Sequence, residues 1–89
     1  MAVTLVQEMP NPVRPRPGLA PRETEVLLAW ILRDNKDDVA RQLEISATTV
    51  RTHLQRIRDK YAAVGRPAST KAALVARAIQ DGLVDVNDL

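Results

Sequence analysis

A chain of 89 residues is one small domain at most, and its composition closes off several chemistries at once. Without cysteine there is no disulfide scaffold, thiolate metal site or thiol nucleophile, and one histidine, His53, cannot build a multi-histidine metal centre. Thirteen basic residues against eleven acidic ones leave a net charge of only +2, so any electrostatic function must lie in how the charge is distributed.

The chain opens on a segment with five of its six prolines between Pro10 and Pro21 and no apolar periodicity. Residues 1–18 therefore read as an extended, proline-rich tail or linker, and residues 19–89 as the folded domain. The apolar part of the tail is too short for a signal peptide. The strongly apolar run 26–32 is far below the roughly 20 residues that span a bilayer, so a soluble, cytosolic domain without a membrane partner is expected. Aromatic residues are scarce, with Trp30, Tyr61 and no Phe, so the core must be built from Leu, Val, Ile and Ala. Stability of only a few kcal/mol is typical of so short a chain.

Four helical segments follow the tail. Pro21 suits the first position of a helix, Glu23 and Glu25 suit its positive end, and Val26, Leu27, Trp30 and Ile31 form an apolar stripe. Asn35 is a good N-cap for a second, short helix with Asp37 and Asp38 in its first turn and Val39, Ala40 and Leu43 on its inner face. Glu44-Ile45-Ser46 interrupts it, and Ser46 caps a third helix reaching about Tyr61. After Gly65-Arg66-Pro67, either Ser69 or Thr70 caps a fourth helix over about residues 70–81, which Gly82 is placed to end. No segment alternates as a strand does, so the fold class is all-α: a compact four-helix domain.

A short helix, a three-residue turn and a longer helix form a helix-turn-helix. Ala40 is small where the two helices approach, and Ile45 fills the turn. Glu44 occupies the position where this motif commonly has glycine, and a left-handed Glu costs about 1 kcal/mol.

On the third helix Val50, Leu54, Ile57 and Tyr61 share one face and must point inward. Opposite them lie Thr48, Arg51, Thr52 and Gln55; Thr49, Arg56 and Lys60 form one flank, His53 sits at the core boundary, and Arg58 lies on the other flank. Between residues 48 and 77 there are seven basic residues (Arg51, Arg56, Arg58, Lys60, Arg66, Lys71, Arg77) and one acid, Asp59. Such a block marks either a surface made for a polyanion or a solvated helix face. The residue types favour the first: a solvated face is usually rich in Glu–Lys pairs, whereas hydroxyls, an amide and a guanidinium are the groups that read base edges. Charges and hydroxyls on the flanks suit phosphates, which assigns Arg51, Thr52 and Gln55 to bases and Thr48, Thr49, Arg56 and Lys60 to the backbone. Asp59 is expected to lie past the groove.

Taken together, Leu19-Ala-Pro-Arg-Glu-Thr-Glu-Val-Leu27, Val39-Ala40, Leu43, Ile45-Ser46, Thr49-Val50-Arg51, His53, Ile57 and Lys60 resemble the LuxR-type (GerE-type) helix-turn-helix over about residues 19–84. The resemblance implies a four-helix DNA-binding output domain of bacterial transcription regulators, with the third helix in the major groove of double-stranded DNA. It also implies base contacts from Arg51, Thr52 and Gln55 and backbone contacts from Thr48, Thr49 and Lys60. The run Lys60-Tyr-Ala-Ala-Val-Gly-Arg-Pro is similar to one subgroup of response regulators. Ala20 replaces the family's usual N-cap Thr, Arg33 a common Gly and Arg51 a common Lys, and residues 61–69 make a longer connection than usual.

The remaining candidates have plainer readings. His53 has no nucleophile or carboxylate beside it in the pattern and reads as a boundary residue, Trp30 as packing, and Asp37-Asp38 as a response to the helix dipole. No phosphate loop, nucleophile elbow or carboxylate pair is present, so neither an enzyme, a small-molecule substrate, a cofactor nor a metal is expected. The fourth helix has seven apolar residues among 71–80, more than one core stripe needs. A homodimer surface including Leu74, Val75, Arg77 and Ala78 is the expectation. The competing function is a protein-interaction helix-turn-helix, a sigma-factor-like unit docking on RNA polymerase.

Overall fold

The computed structural model describes residues 14–33 and 35–89; residues 1–13, most of the proposed tail, lie outside them. Four α-helices, α1 (Pro21–Ile31), α2 (Lys36–Leu43), α3 (Ala47–Ala63) and α4 (Lys71–Gln80), are followed by a 3-10 turn at Val86–Asp88. The domain is all-helical, and among the described residues no helix is long and apolar enough to cross a membrane.

Local chemistry sets each boundary. Pro21 opens α1 after extended Ala20, which has no capping side chain; Glu23 reaches back instead, its Oε1 accepting from the Ala20 N–H at 2.8 Å. That bond satisfies the N–H of Ala20 itself, while the N–H groups that a capping hydroxyl would serve receive no bond from the Ala20 side chain. Asn35, Ser46 and Thr70 cap α2, α3 and α4 by accepting from the backbone N–H three residues on, at 2.9, 3.0 and 3.1 Å. Thr70, and not Ser69, is thus the cap of α4.

The helices α2, α3 and α4 end alike. Each is followed by a left-handed residue, with an N–H from one residue later reaching back five positions: Ile45 to Ala40 at 3.0 Å, Arg66 to Tyr61 at 2.9 Å and Leu83 to Ala78 at 2.9 Å. At Gly65 and Gly82 the positive φ is free of side-chain strain, but at Glu44 (φ 57°, ψ 44°) it is not. The turn of the helix-turn-helix therefore carries the strain expected from the sequence.

Val26, Leu27, Val39, Val50, Leu54, Ile57, Tyr61, Leu74 and Ala78 are fully buried in one aliphatic core, to which Trp30, Ala40 and Ala68 also belong. Leu74 and Ala78 are one helical turn apart and form the stripe by which α4 packs on the core. This corrects the expectation that they belong to a dimer surface. The outward face of α4 is instead Ala72, Ala76 and Ile79, the last 37% exposed, with Val75 and Arg77 half-buried beside it.

The long connection at residues 64–70 is pinned from inside. Ala68 is buried, and Arg66 turns inward to pair with Asp81 at the end of α4 (Nη2–Oδ1 2.8 Å, side chains 9% and 4% exposed). Tyr61 donates its hydroxyl to Asp81 Oδ2 at 2.8 Å, and the Arg66 guanidinium lies over the Tyr61 ring. Burial alone would raise the Asp81 carboxyl; bonds from Arg66 and Tyr61 outweigh it and hold the group below the usual carboxylate value, while burial and Asp81 push the Tyr61 phenol up. The same network holds the end of the extended segment: Arg66 Nη1 donates to the Pro15 carbonyl and Arg16 Nη1 to the Asp81 carbonyl, both at 3.0 Å. The last residues assigned to the tail therefore lie on the domain.

Candidate nucleic-acid interface

The capping bond from Ser46 and the buried stripe of α3 fix which way its other residues face. With Val50, Leu54, Ile57 and Tyr61 wholly inside, Thr48, Arg51, Thr52, Gln55 and Arg56 are all exposed on the other side. Thr49 is half-buried, and its hydroxyl lies 2.9 Å from Ser46 Oγ, joining it to the cap. The Thr52 hydroxyl donates to the Thr48 carbonyl at 3.0 Å, turning its methyl group away from that bond. Gln55 Nε2 donates to Asp59 Oδ1 at 3.0 Å, which restrains the amide and places the one acid of the helix beside a predicted base-reading residue. Among the described residues neither Arg51 nor Arg56 forms an ion pair. Two uncommitted guanidiniums flank a row of hydroxyl and amide groups, an arrangement that suits base edges and phosphates.

Two cations counted in the basic block are committed elsewhere. Lys60 is half-buried, and its ammonium lies 2.6 Å from Glu23 Oε1, a carboxylate only 6% exposed; it also reaches the Gly18 carbonyl at 3.4 Å. Burial would raise the Glu23 carboxyl, but the Lys60 bond and the Ala20 N–H hold it below its usual value. Lys60 thus ties α3 to the start of α1 before it touches anything outside. Arg66 is neutralised within the Asp81 network and contributes nothing to the surface. Spacing along the chain gave no sign of either pairing, because the partners are 37 and 15 residues apart.

His53 is half-buried at the core boundary, as its place on the helix suggests, and its Nδ1 is buried without a partner among the described residues. Trp30 is a core residue. Asn35 accepts from Asp38, and Arg41 forms an ion pair with the Asp38 carboxylate, so Asp38 serves the start of α2. The described residues contain no group of three or more acids and histidines placed to hold a metal.

A model of the family described as bacterial regulatory proteins, luxR family, matches residues 17–73, which include α1, the helix-turn-helix and the start of α4. No curated protein and no solved structure matches the chain.

Proposed function

Given that this chain belongs to the luxR family of bacterial regulatory proteins, and so carries a helix-turn-helix that binds DNA in transcription regulation, we propose that α3 is the element that enters the major groove. Arg51, Thr52 and Gln55 then meet base edges. Arginine suits the O6 and N7 of guanine, glutamine the N7 and N6 of adenine, and a threonine methyl the methyl of thymine. Thr48, Thr49 and Arg56 hold the sugar-phosphate walls, and Lys60 reaches a phosphate only while it also neutralises Glu23. The exposed, unpaired Arg51 on the face opposite a fully buried stripe is the observation that carries this reading.

A single module buries about 600–1,000 Å² on DNA, so pairing of two copies raises affinity to a useful level. The outward apolar face of α4, Ala72, Ala76 and Ile79 with Val75 at its edge, is the surface proposed for a homodimer on DNA. Its two half-sites would lie roughly 10 bp apart. The similarity of the run from Lys60 to Pro67 to one response-regulator subgroup supports a role as a response-regulator effector domain, working in the cytoplasm and acting on RNA polymerase from its bound site.

Selection from a random duplex pool tests the reading. A recovered consensus with two half-sites supports it, and Ile79→Lys is expected to reduce binding to one half-site while the monomer stays folded. Binding to a protein of the transcription machinery with no duplex preference would instead favour the protein-interaction helix-turn-helix.

A further inference from the structure

Trp30 is 6% exposed, yet cations from three different helices surround it. Lys36 Nζ at the first position of α2 lies 5.7 Å from the ring centroid, Arg58 Cζ of α3 5.5 Å, and Lys71 Nζ at the first position of α4 5.2 Å. A ring has two faces, so at least two of these cations share one, and each added cation raises the repulsion among them.

No carboxylate among the described residues offsets that charge. Among the described residues none of the three pairs with a carboxylate, whereas Arg22, Arg41, Lys60 and Arg66 each do; neighbouring Asp37 is exposed and pairs with none of them. Two of the three also oppose the local field, because Lys36 and Lys71 stand at the positive ends of their helices, where an anion is favoured and a cation is not. Lys71 Nζ donates to the Arg33 carbonyl at 2.5 Å, and Arg58 Nε is buried with no partner among the described residues. Three unpaired cations held together against a helix-end field make an electrostatic arrangement that an anion would complete.

The location indicates which anion. Arg58 stands two turns from Arg51 on α3, about 10 Å along its axis. A groove lined by Gln55, Arg58, Asp59, Ala62, Pro67 and Ser69 joins a proposed base-reading residue to Arg58, the member of the cluster that lines it. We propose that Lys36, Arg58 and Lys71, seated on Trp30, form a second phosphate-binding site that grips the DNA backbone beyond the segment read by α3. This rests on the reading of α3 as the DNA-reading helix, and it adds a contact that makes affinity depend on duplex length past that segment.

Trp30 is the single tryptophan of the chain, so its emission reports directly on the cluster. The experiment titrates the full chain with a pool-selected duplex and with the same duplex trimmed at each end in turn, following both Trp30 emission and the anisotropy of the labelled DNA. Saturable change in Trp30 emission with the long duplex, and a smaller change with one trimmed form, is the expected result. A Lys36→Gln, Arg58→Gln, Lys71→Gln variant should bind long and trimmed duplexes equally. The slope of log affinity against log salt should fall by about 0.9 per lost contact, and so by as much as about 2.7. Sequence-selective binding that leaves Trp30 emission unchanged overturns the proposal while sparing the reading of α3, as does a folded variant that keeps the full salt slope. Absence of selective binding to any duplex overturns both. Should the triple variant not fold, the wild-type titration still decides.

Discussion

Replacing Asp81 by Ala removes the one acid that three side-chain interactions converge on. In the native domain its carboxylate takes Arg66 at 2.8 Å and Tyr61 at 2.8 Å, with both members of the ion pair more than nine-tenths buried. The substitution leaves a guanidinium in the interior without a counter-charge and a buried hydroxyl without an acceptor. Breaking a buried pair from one side costs about 3–5 kcal/mol. At roughly 4–8 °C of melting temperature per kcal/mol for a domain of this size, Tm should fall by roughly 12–40 °C. Because a short domain holds only a few kcal/mol, much of the variant is expected to be unfolded at room temperature. Thermal denaturation followed by circular dichroism reads this, and a cycle with Arg66→Met separates the pair from its surroundings. The double variant Arg66→Met, Asp81→Leu should recover most of the loss, since an apolar pair of similar volume removes the stranded charge. A drop below about 5 °C for Asp81→Ala, or no recovery in the double variant, would refute the assignment of this network as the tie between α3, α4 and the extended segment.

Three further outcomes follow from local geometry. Glu44→Gly removes the left-handed strain in the turn and should raise stability by about 1 kcal/mol, read as an increase in Tm; no gain would mean that the turn relaxes. Glu23 and Asp81 have folded-state carboxyls below their ordinary values of 4.5 and 3.8, so the stability they contribute is present above those values and lost as pH falls through the lower folded ones. Acid titration should accordingly show stability falling below about pH 4, and Glu23→Gln should flatten that slope; an unchanged profile would show that Lys60 is not its partner. Deletion of residues 1–13 should leave Tm unchanged. Deletion of residues 1–17, which also removes the Pro15 and Arg16 bonds, should cost about 1–3 kcal/mol, and equal melting of the two forms would show that these bonds contribute nothing.

The parts of the fold set by neighbours in the chain were legible in it. Asn35, Ser46 and Gly82 act within three or four residues, so their chemistry marks helix ends without knowledge of the fold, and the spacing of Val50, Leu54, Ile57 and Tyr61 fixes the inner face of α3. The strain at Glu44 followed for the same reason. Arg66 and Lys60 were read as surface charge because the acids that neutralise them lie far along the chain, and only packing reveals the pairings. The face of α4 was ambiguous for another reason: Ala, Leu, Val and Ile surround that helix, so its pattern admits more than one inward stripe, and burial chose Leu74 and Ala78. The cluster around Trp30 joins residues from three helices and was invisible for the same reason as the ion pairs.

The central claim, that α3 reads bases through Arg51 while Arg56 holds the backbone, is tested most directly by comparing Arg51→Ala and Arg56→Ala on a selected duplex and on its scrambled form at several salt concentrations. Both residues are exposed and unpaired among the described residues, so neither substitution disturbs the core. The account predicts that Arg51→Ala weakens the selected duplex by about 1–3 kcal/mol with little effect on the scrambled one. Arg56→Ala should weaken both alike and lower the salt slope by about 1. Equal loss on both duplexes for Arg51→Ala, or no loss for either variant, would contradict it.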